Sequence, residues 1–538
     1  MPPPPFNYRL PYPSVRQPVF AKNVVATSQP LAAQAGLEVL RKGGNAIDAA
    51  VATAMALSVV EPSGNGIGSD NFALIWTGGG VHGLNSSGRS PSLMTYDKYR
   101  GQERVSTVGY DGITVPGAPA GWVAAAKAYG TRPMTELAQD AIRYSREGHL
   151  LSPGVGSSYR GVLRRYTSGQ HQGFFDTFSQ NGQVPTIGQQ VRLPDHADTL
   201  QAIAETDGEA FYRGPIAKEI EKHARQWGGA IRADDIARHE AEWVRPMTMD
   251  YRGWRLYEIP PNGQGIAALI ALGICKHFDL DSIEPDHPDK LHITIEAMKL
   301  AFRDVNRYVA DPRSMPFDPN ELIDPGYLEE RAKLIDTKRA QDFKHGEPKV
   351  GGTVLLTTAD AEGNMVSWIQ SNYTGFGSGI VPDGTGVSLQ NRGACFVLDE
   401  GHPNQLGPGK KPYHTIIPGF VTRPLADGSE EPVMTFGVMG GFMQPQGHLQ
   451  VLLRMRDDEQ NPQAALDAPR WQVYSGLNVS IEPGFDDSVY DDLESRGHAV
   501  RRSRRRSASF GRGQVIYKLD DGYVAGSDLR ADGQAVGF

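Results

Sequence analysis

The sequence predicts an α+β layered fold, because helical patterning dominates before residue 336 and short alternating strands dominate after residue 353. Between them lies a polar, charged stretch, Asp336 to Lys349, which reads as exposed and mobile. At 538 residues the chain can hold several domains or one large mixed unit. Its 39% hydrophobic and 22% charged residues are ordinary for a globular protein, and a formal net charge of −8 gives no footing for nucleic acid.

A Pro-rich arm occupies residues 1–20. Ser28 to Leu40 then shows a capping residue, an early proline and an amphipathic pattern, with a stop at Gly43-Gly44. A second helix begins at once: Asn45 and Asp48 form a variant capping box, and Ala46 to Val60 is small and apolar nearly all round, which implies burial. Glu61 to Gly68 must be an irregular loop feeding a strand from Phe72 to Trp76. From Met134 to Ile335 the pattern is mainly helical, with a strand-like interlude at Trp254 to Ile259. Strands follow at Val354 to Thr358, Met365 to Gln370, Val433 to Phe436 and Gln514 to Leu519.

The most informative residue is Thr353, which opens a strand directly after Gly351-Gly352. If the Gly352–Thr353 bond is cut, one residue carries both a hydroxyl and a free α-amine, and the amine can act as base for its own side chain. Gly352 suits such a cut because a backbone without Cβ lets the hydroxyl reach its carbonyl. The alternative is a plain β-sheet threonine. The strand ends at Asp360-Ala361-Glu362-Gly363-Asn364, a hairpin loop centred near Glu362, so paired residue numbers sum to about 724. Ser371 therefore falls opposite Thr353, to within one residue if the strand bulges. Downstream, Gly437-Val438-Met439-Gly440-Gly441 follows a strand and can present consecutive backbone N–H groups, as an oxyanion hole requires, or simply make a tight turn.

Cys275 and Cys395 are too few for a disulfide framework or a cysteine zinc site, which fits a cytosolic or other reducing compartment. Met1 to Phe6 makes a poor secretory signal, and Ala46 to Val60 is too short to span a bilayer. Arg501 to Arg506 reads as a solvated turn or a local anion or partner site, with no catalytic role.

Gly43 to Ala52, Thr353 to Asp360, Gly375-Phe376-Gly377-Ser378-Gly379, Pro408 to Pro412 and Met439-Gly440-Gly441 together resemble the γ-glutamyltransferase family of N-terminal-nucleophile hydrolases. The resemblance runs in order over almost the whole chain. It implies a four-layer αββα sandwich formed jointly by a large fragment, whose body is residues 21–352, and a small fragment, residues 353–538. It matches Thr353 to the nucleophile, Ser371 to its supporting hydroxyl, and Gly440 and Gly441 to the oxyanion glycines. It implies no cofactor or metal. The expected partners are a small-molecule amide of γ-glutamyl, glutaryl or oxamyl type and the chain's own two fragments as a heterodimer, with a dimer of heterodimers left open. No nucleic acid or membrane partner is expected.

The chain departs from the family at the head-group site. In Asn85-Ser86-Ser87-Gly88-Arg89-Ser90-Pro91, Ser87 replaces the arginine that holds the substrate α-carboxylate. Cys395 stands where an aspartate would bind the α-amino group, His414 and Thr415 replace paired serines, and Tyr373 replaces a substrate-contacting asparagine. The loop Phe396 to Lys410 is short, which resembles members without an active-site lid. These features are similar to the branch with cytosolic homologues, cephalosporin (glutaryl) acylases and oxamate amidohydrolase. Arg89 and Arg392 are cations near the altered positions, able to bind a substrate carboxylate or to sit in internal ion pairs. His414 is a substrate contact or a loop histidine satisfied by backbone.

The reading is a self-processing amidohydrolase or acyltransferase working through an acyl-Thr353 ester. The alternatives are a true γ-glutamyltransferase or glutathione hydrolase with other anchors, and a non-catalytic scaffold of the same fold. A dinucleotide site at Gly263-Gln264-Gly265 is disfavoured because Pro260-Pro261 prevents the tight strand-to-helix turn.

Overall fold

The computed structural model describes residues 15–162, 165–166, 169–180, 182–343 and 352–538. The first helix, Pro30–Arg41, is capped by Gln29, whose side chain accepts from the N–H groups of Leu31 and Ala32, with proline at the first helical position. The next, Ala46–Val60, begins with a reciprocal capping box: Asn45 Oδ1 accepts from Asp48 N at 2.9 Å and Asp48 Oδ2 from Asn45 N at 3.0 Å. All of its residues are buried, as its lack of a polar face requires.

Two seven-stranded antiparallel sheets form the middle of the molecule. One runs Gln534–Gly537, Val24–Thr27, Gly352–Ala359, Met365–Tyr373, Asp70–Thr77, Gly80–Ser86, Glu242–Val244. The other runs Val19–Ala21, Gly522–Ser527, Arg512–Leu519, Glu430–Met439, Gly419–Pro424, Trp254–Glu258, Met247–Tyr251. Leu355, Ile369 and Phe72 from the first sheet meet Phe420 and Ile516 from the second in an apolar layer between them. On the outer face of the first sheet, Val354, Leu356 and Trp368 pack against the helices that contribute Ile47, Val51 and Trp122. On the outer face of the second, Phe436 and Val515 pack against helices Gly265–Cys275 and Pro288–Tyr308. Strands buried on both faces leave no polar alternation: Thr353 to Ala359 is buried throughout, its threonines included. The layering is αββα. Each sheet draws strands from both sides of the Gly352–Thr353 bond.

Three features differ from the sequence reading. The interlude at Trp254 is one arm of a hairpin, paired from Met247↔Glu258 to Tyr251↔Trp254. Helix Met443–Arg456 lies within the strand-rich part. It is buried from Met443 to Met455, so it carries no amphipathic signature. Residues 336–343 are mostly exposed but tied down: His292 Nε2 meets Asp336 O at 2.8 Å, and Gln341 N donates to Glu296 Oε2 at 3.1 Å. The rest of that polar stretch, 344–349, lies outside the described residues, as do residues 1–14 of the Pro-rich arm.

Among the described residues, no helix is long and apolar enough to cross a membrane.

Candidate active site

The hairpin places the site. Val354↔Gln370 through Ala359↔Met365 are in register, then the ladder shifts so that Gly352 pairs with Tyr373. The extra residue lies on the partner strand, where Ser371 and Asn372 oppose the single Thr353, and a bulge of this kind re-aims side chains. Its Oγ1 lies 3.3 Å from Ser371 Oγ, and both residues are buried.

Ser371 Oγ is also the acceptor for Tyr373 N at 2.8 Å and Arg392 Nη2 at 3.2 Å. Tyr373 holds φ at +77°, a costly conformation for a residue with a side chain and one that concentrates at functional sites. Arg392, in the 3-10 turn Arg392–Cys395, is fully buried. Its Nη1 donates to Thr415 Oγ1 at 2.7 Å and lies 3.8 Å from Cys395 Sγ, and the guanidinium stacks 4.8 Å above the Tyr373 ring. None of these partners is a carboxylate, and Nε has no hydrogen-bond partner among the described residues. The buried arginines Arg470 and Arg530, by contrast, pair with Asp528 and Glu482. A buried cation is expensive unless compensated, and the carboxyl that acts on this one is Asp70, the cross-strand partner of Ser371, which reaches it through space and not by a direct hydrogen bond.

The glycine turn lies close by. Gly440 and Gly441, at φ +144° and +62°, join strand Glu430–Met439 to helix Met443–Arg456, and these angles keep side chains out of the turn. Arg512 is the cross-strand partner of Met439 and donates from Nη2 to Thr353 O at 3.1 Å, so one side chain links the turn to Thr353. Gln264 holds the turn from the other side. Its Nε2 donates to Gly441 O at 2.8 Å and Thr415 O at 2.6 Å, and its Oε1 accepts from Tyr413 Oη at 2.9 Å.

The structure therefore brings Thr353, Ser371, Tyr373, Arg392, Cys395 and Thr415 together, with Gly441 one residue away through Gln264. His414 stands behind them. Its Nδ1 accepts from Ile416 N at 3.4 Å, so Nε2 carries the proton toward Asp70 Oδ2 at 3.1 Å. Burial holds the imidazole well below its ordinary pKa and pushes the Asp70 carboxyl up to about 7 against the pull of Arg392. Ser87 is one layer away, its hydroxyl bonded to Asn85 Oδ1 at 2.7 Å. Arg89 does not reach the cluster: Asp311 at 2.8 Å and Glu242 at 3.2 Å take up its guanidinium. Ser87 and Arg89 line a separate cavity of about 410 Å³.

Asp70, Gln264, Glu61 and Arg512 were not singled out as site residues from the sequence. Gln264 had a signal, the Gly-Gln-Gly turn, but one that reads as nucleotide binding. The others had none, because each is a lone charged residue whose partner is distant in the chain. A possible metal-ligand group, His292, Glu296 and His498, lies elsewhere with its ligand atoms within 4.8 Å of one another. The two imidazoles meet at 2.8 Å, and Lys299 Nζ reaches Glu296 at 2.7 Å and His498 at 3.4 Å, so these groups already satisfy one another.

Comparison with known proteins agrees with this architecture. The family model described as gamma-glutamyltranspeptidase matches residues 32–538. The glutathione hydrolase-like YwrD proenzyme of Bacillus subtilis is 34% identical over 528 residues, covering 96% of this chain and 98% of that protein. The oxamate amidohydrolase proenzyme of Klebsiella pneumoniae is 34% identical over 522 residues, covering 94% and 97%. The crystal structure of cephalosporin acylase from Bacillus halodurans superposes with a TM-score of 0.94 at 48% identity, covering 99% of each chain. With a match from residue 32 to the end and a shared αββα frame, the chain belongs to the γ-glutamyltranspeptidase family and is a hydrolase of the N-terminal-nucleophile fold.

Proposed function

We propose that the chain cuts itself between Gly352 and Thr353 and that the freed Thr353 hydrolyses or transfers the acyl group of amides bearing a carboxylate on the acyl side. The observation that supports this most is the run Thr353–Ser371–Arg392, two contacts of 3.3 and 3.2 Å that set a buried guanidinium with no carboxylate among its direct hydrogen-bond partners beside the nucleophile.

In the cut, Thr353 Oγ attacks the Gly352 carbonyl, the acyl group moves from nitrogen to oxygen, and water opens the ester. In turnover, the Thr353 α-amine takes the hydroxyl proton as Oγ attacks the substrate carbonyl. Gly440 and Gly441 N–H groups receive the oxyanion, and the amine returns the proton to the leaving nitrogen. Water then releases the acid, or an amine accepts the acyl group. Ser371 keeps the hydroxyl oriented. Arg392 holds the acyl carboxylate, with Thr415 and Tyr373 fixing the guanidinium. One relative is named for oxamate, an amide that carries such a carboxylate. His414 precedes Thr415 in the chain and is itself held by Asp70. A direct contact of Cys395 with substrate completes the pocket on this reading, while Ser87 and Arg89 serve the neighbouring cavity and His414 acts from behind.

A denaturing gel with N-terminal sequencing, followed by turnover of γ-glutamyl, glutaryl and oxamyl amides, tests the reading. Two bands, the smaller starting at Thr353, and preference for a single-carboxylate acyl group are expected. One active uncut chain overturns it.

The base predicts a pH profile. A terminal amine has a reference pKa of about 7.7 to 8.0 and must be neutral to accept a proton, so activity falls on the acid side through one ionisation at or below that value. Selective acylation of the small fragment's amine is expected to abolish turnover, and an unchanged rate would remove the amine from the mechanism.

A further inference from the structure

The bulge that sets Ser371 and Asn372 opposite the single Thr353 also leaves the Thr353 backbone outside the paired register. Gly352 and Val354 pair with Met365–Tyr373, while Val24–Thr27 reaches only Leu356 to Ala359 on the other side. Arg512 fills the gap by donating from Nη2 to Thr353 O at 3.1 Å. The guanidinium is itself held: Nη1 meets Glu61 Oε1 at 2.9 Å, and Ser28 Oγ donates to Glu61 Oε2 at 2.5 Å. Glu61 is buried at the end of helix Ala46–Val60. The loop after that helix presses on the same carbonyl, since a Cβ at Gly64 would stand 3.1 Å from Thr353 O.

We propose that Arg512, braced by Glu61 and Ser28, is the positioning residue of Thr353: it fixes the carbonyl and so the direction of hydroxyl and freed amine, and sets a positive charge beside that amine. This rests on Thr353 being the nucleophile.

The geometry has two consequences. Fixing the carbonyl fixes the rotation about Cα–C, so the amine and Oγ keep one orientation toward Ser371 and the glycine turn instead of several. The guanidinium is also one residue's breadth from the amine, and a cation there disfavours the protonated form, which leaves more of the base neutral at neutral pH. Other charges facing this spot are few among the described residues. Arg392 acts through Ser371, Asp70 is the cross-strand partner of Ser371 and meets His414 at 3.1 Å, and Asp532 acts on Glu61 from the C-terminal loop. Strand Val24–Thr27 has no charged residue, Tyr373 is the titratable group of Met365–Tyr373, and Glu430 and Glu431 pair with Arg255 and Arg423 at the far end of their strand. Burial pushes Glu61 above its ordinary pKa, while Arg512 and Ser28 pull it down.

The test compares Arg512→Gln, Arg512→Lys and Glu61→Gln in the full-length protein, following self-cleavage over time and the acid limb of kcat in the processed fraction. Arg512→Gln is expected to slow cleavage and kcat by about tenfold to a hundredfold, with KM little changed. Its acid limb moves up by about half a pH unit or more, because the amine loses its cation. Glu61→Gln moves the limb the other way, since the guanidinium is no longer compensated. Arg512→Lys keeps the limb and recovers part of kcat. A folded Arg512→Gln protein that never cuts supports the orienting role, and the Lys and Glu61 variants then supply the profile. Cleavage and turnover within twofold of wild type, or equal losses in all three variants with an unmoved limb and a lowered Tm, overturn the proposal. Because Thr353→Ala tests the nucleophile by itself, an inert Thr353→Ala beside an unaffected Arg512→Gln defeats this inference and leaves the proposed function standing.

Discussion

Thr353→Ala is expected to fold, remain one uncut chain of 58.5 kDa, and lose turnover by about 10⁴-fold or more. The methyl that remains conserves most of the packing, but neither the cut nor the acyl-ester step has a nucleophile. Thr353→Ser restores both, more slowly. Serine keeps the hydroxyl within reach of Ser371 Oγ, at 3.3 Å in the parent, yet loses the β-methyl that restricts the side chain to few rotamers. A gel time course with an amide assay on the same samples reads both effects. An active, uncut Thr353→Ala protein would assign the chemistry to another residue.

The second large effect concerns the acyl group. Only two contacts, 3.3 and 3.2 Å, separate Thr353 Oγ1 from Arg392 Nη2 through Ser371, so a short acyl chain is long enough to set its carboxylate on the guanidinium with its carbonyl at the nucleophile. Acyl chains of oxamyl to succinyl length are therefore expected to outperform glutaryl. Arg392→Ala should lower kcat/KM for these amides by about 10-fold to 150-fold, the worth of one charge-assisted contact of about 1.5 to 3 kcal/mol. Amides without a carboxylate should change little. For γ-glutamyl amides the expectation is poor turnover, because Ser87 and Cys395 provide neither charged anchor. Ser87→Arg with Cys395→Asp should raise γ-glutamyl turnover relative to the short acids, partly because a carboxylate introduced 3.8 Å or so from Arg392 neutralises the guanidinium. Kinetics over an acyl series of increasing length decides the matter, and a wild-type preference for γ-glutamyl amides would show that other residues anchor the head group.

Local signals carried a large share of this structure. The capping box at Asn45 and Asp48 involves neighbours, so the helix start is readable from composition and spacing. The hairpin around Gly363 has a short loop, which fixes its register, and the register alone puts Ser371 beside Thr353. What could not be read lies in contacts between distant residues. Arg512 reaches Thr353 across 159 positions and Glu61 across 451, and nothing in either neighbourhood marks them as partners. Strand Gly419–Pro424 and helix Met443–Arg456 escaped for a different reason: elements enclosed by other layers need no polar face, so the periodicity that announces an element is absent. Arg89 and Arg392 look alike in sequence. Only the fold shows that one is held in direct ion pairs by Asp311 and Glu242 while the direct partners of the other are Ser371, Thr415 and Cys395.

The strand order of the two sheets has a consequence for the history of the molecule. Each sheet mixes strands from before and after the Gly352–Thr353 bond: Gly352–Ala359 lies between Val24–Thr27 and Met365–Tyr373, and Gly419–Pro424 lies against Trp254–Glu258. A cut there falls after the first residue of strand Gly352–Ala359, and its larger effect is on the molecularity of folding. The precursor finds its structure as one chain, at a rate independent of concentration. The processed protein, once unfolded, must reassemble from two strangers that each hold half of every sheet, and its recovery then depends on dilution. Processing on this account is a one-way passage, in which the covalent chain serves as a template that the finished enzyme no longer possesses.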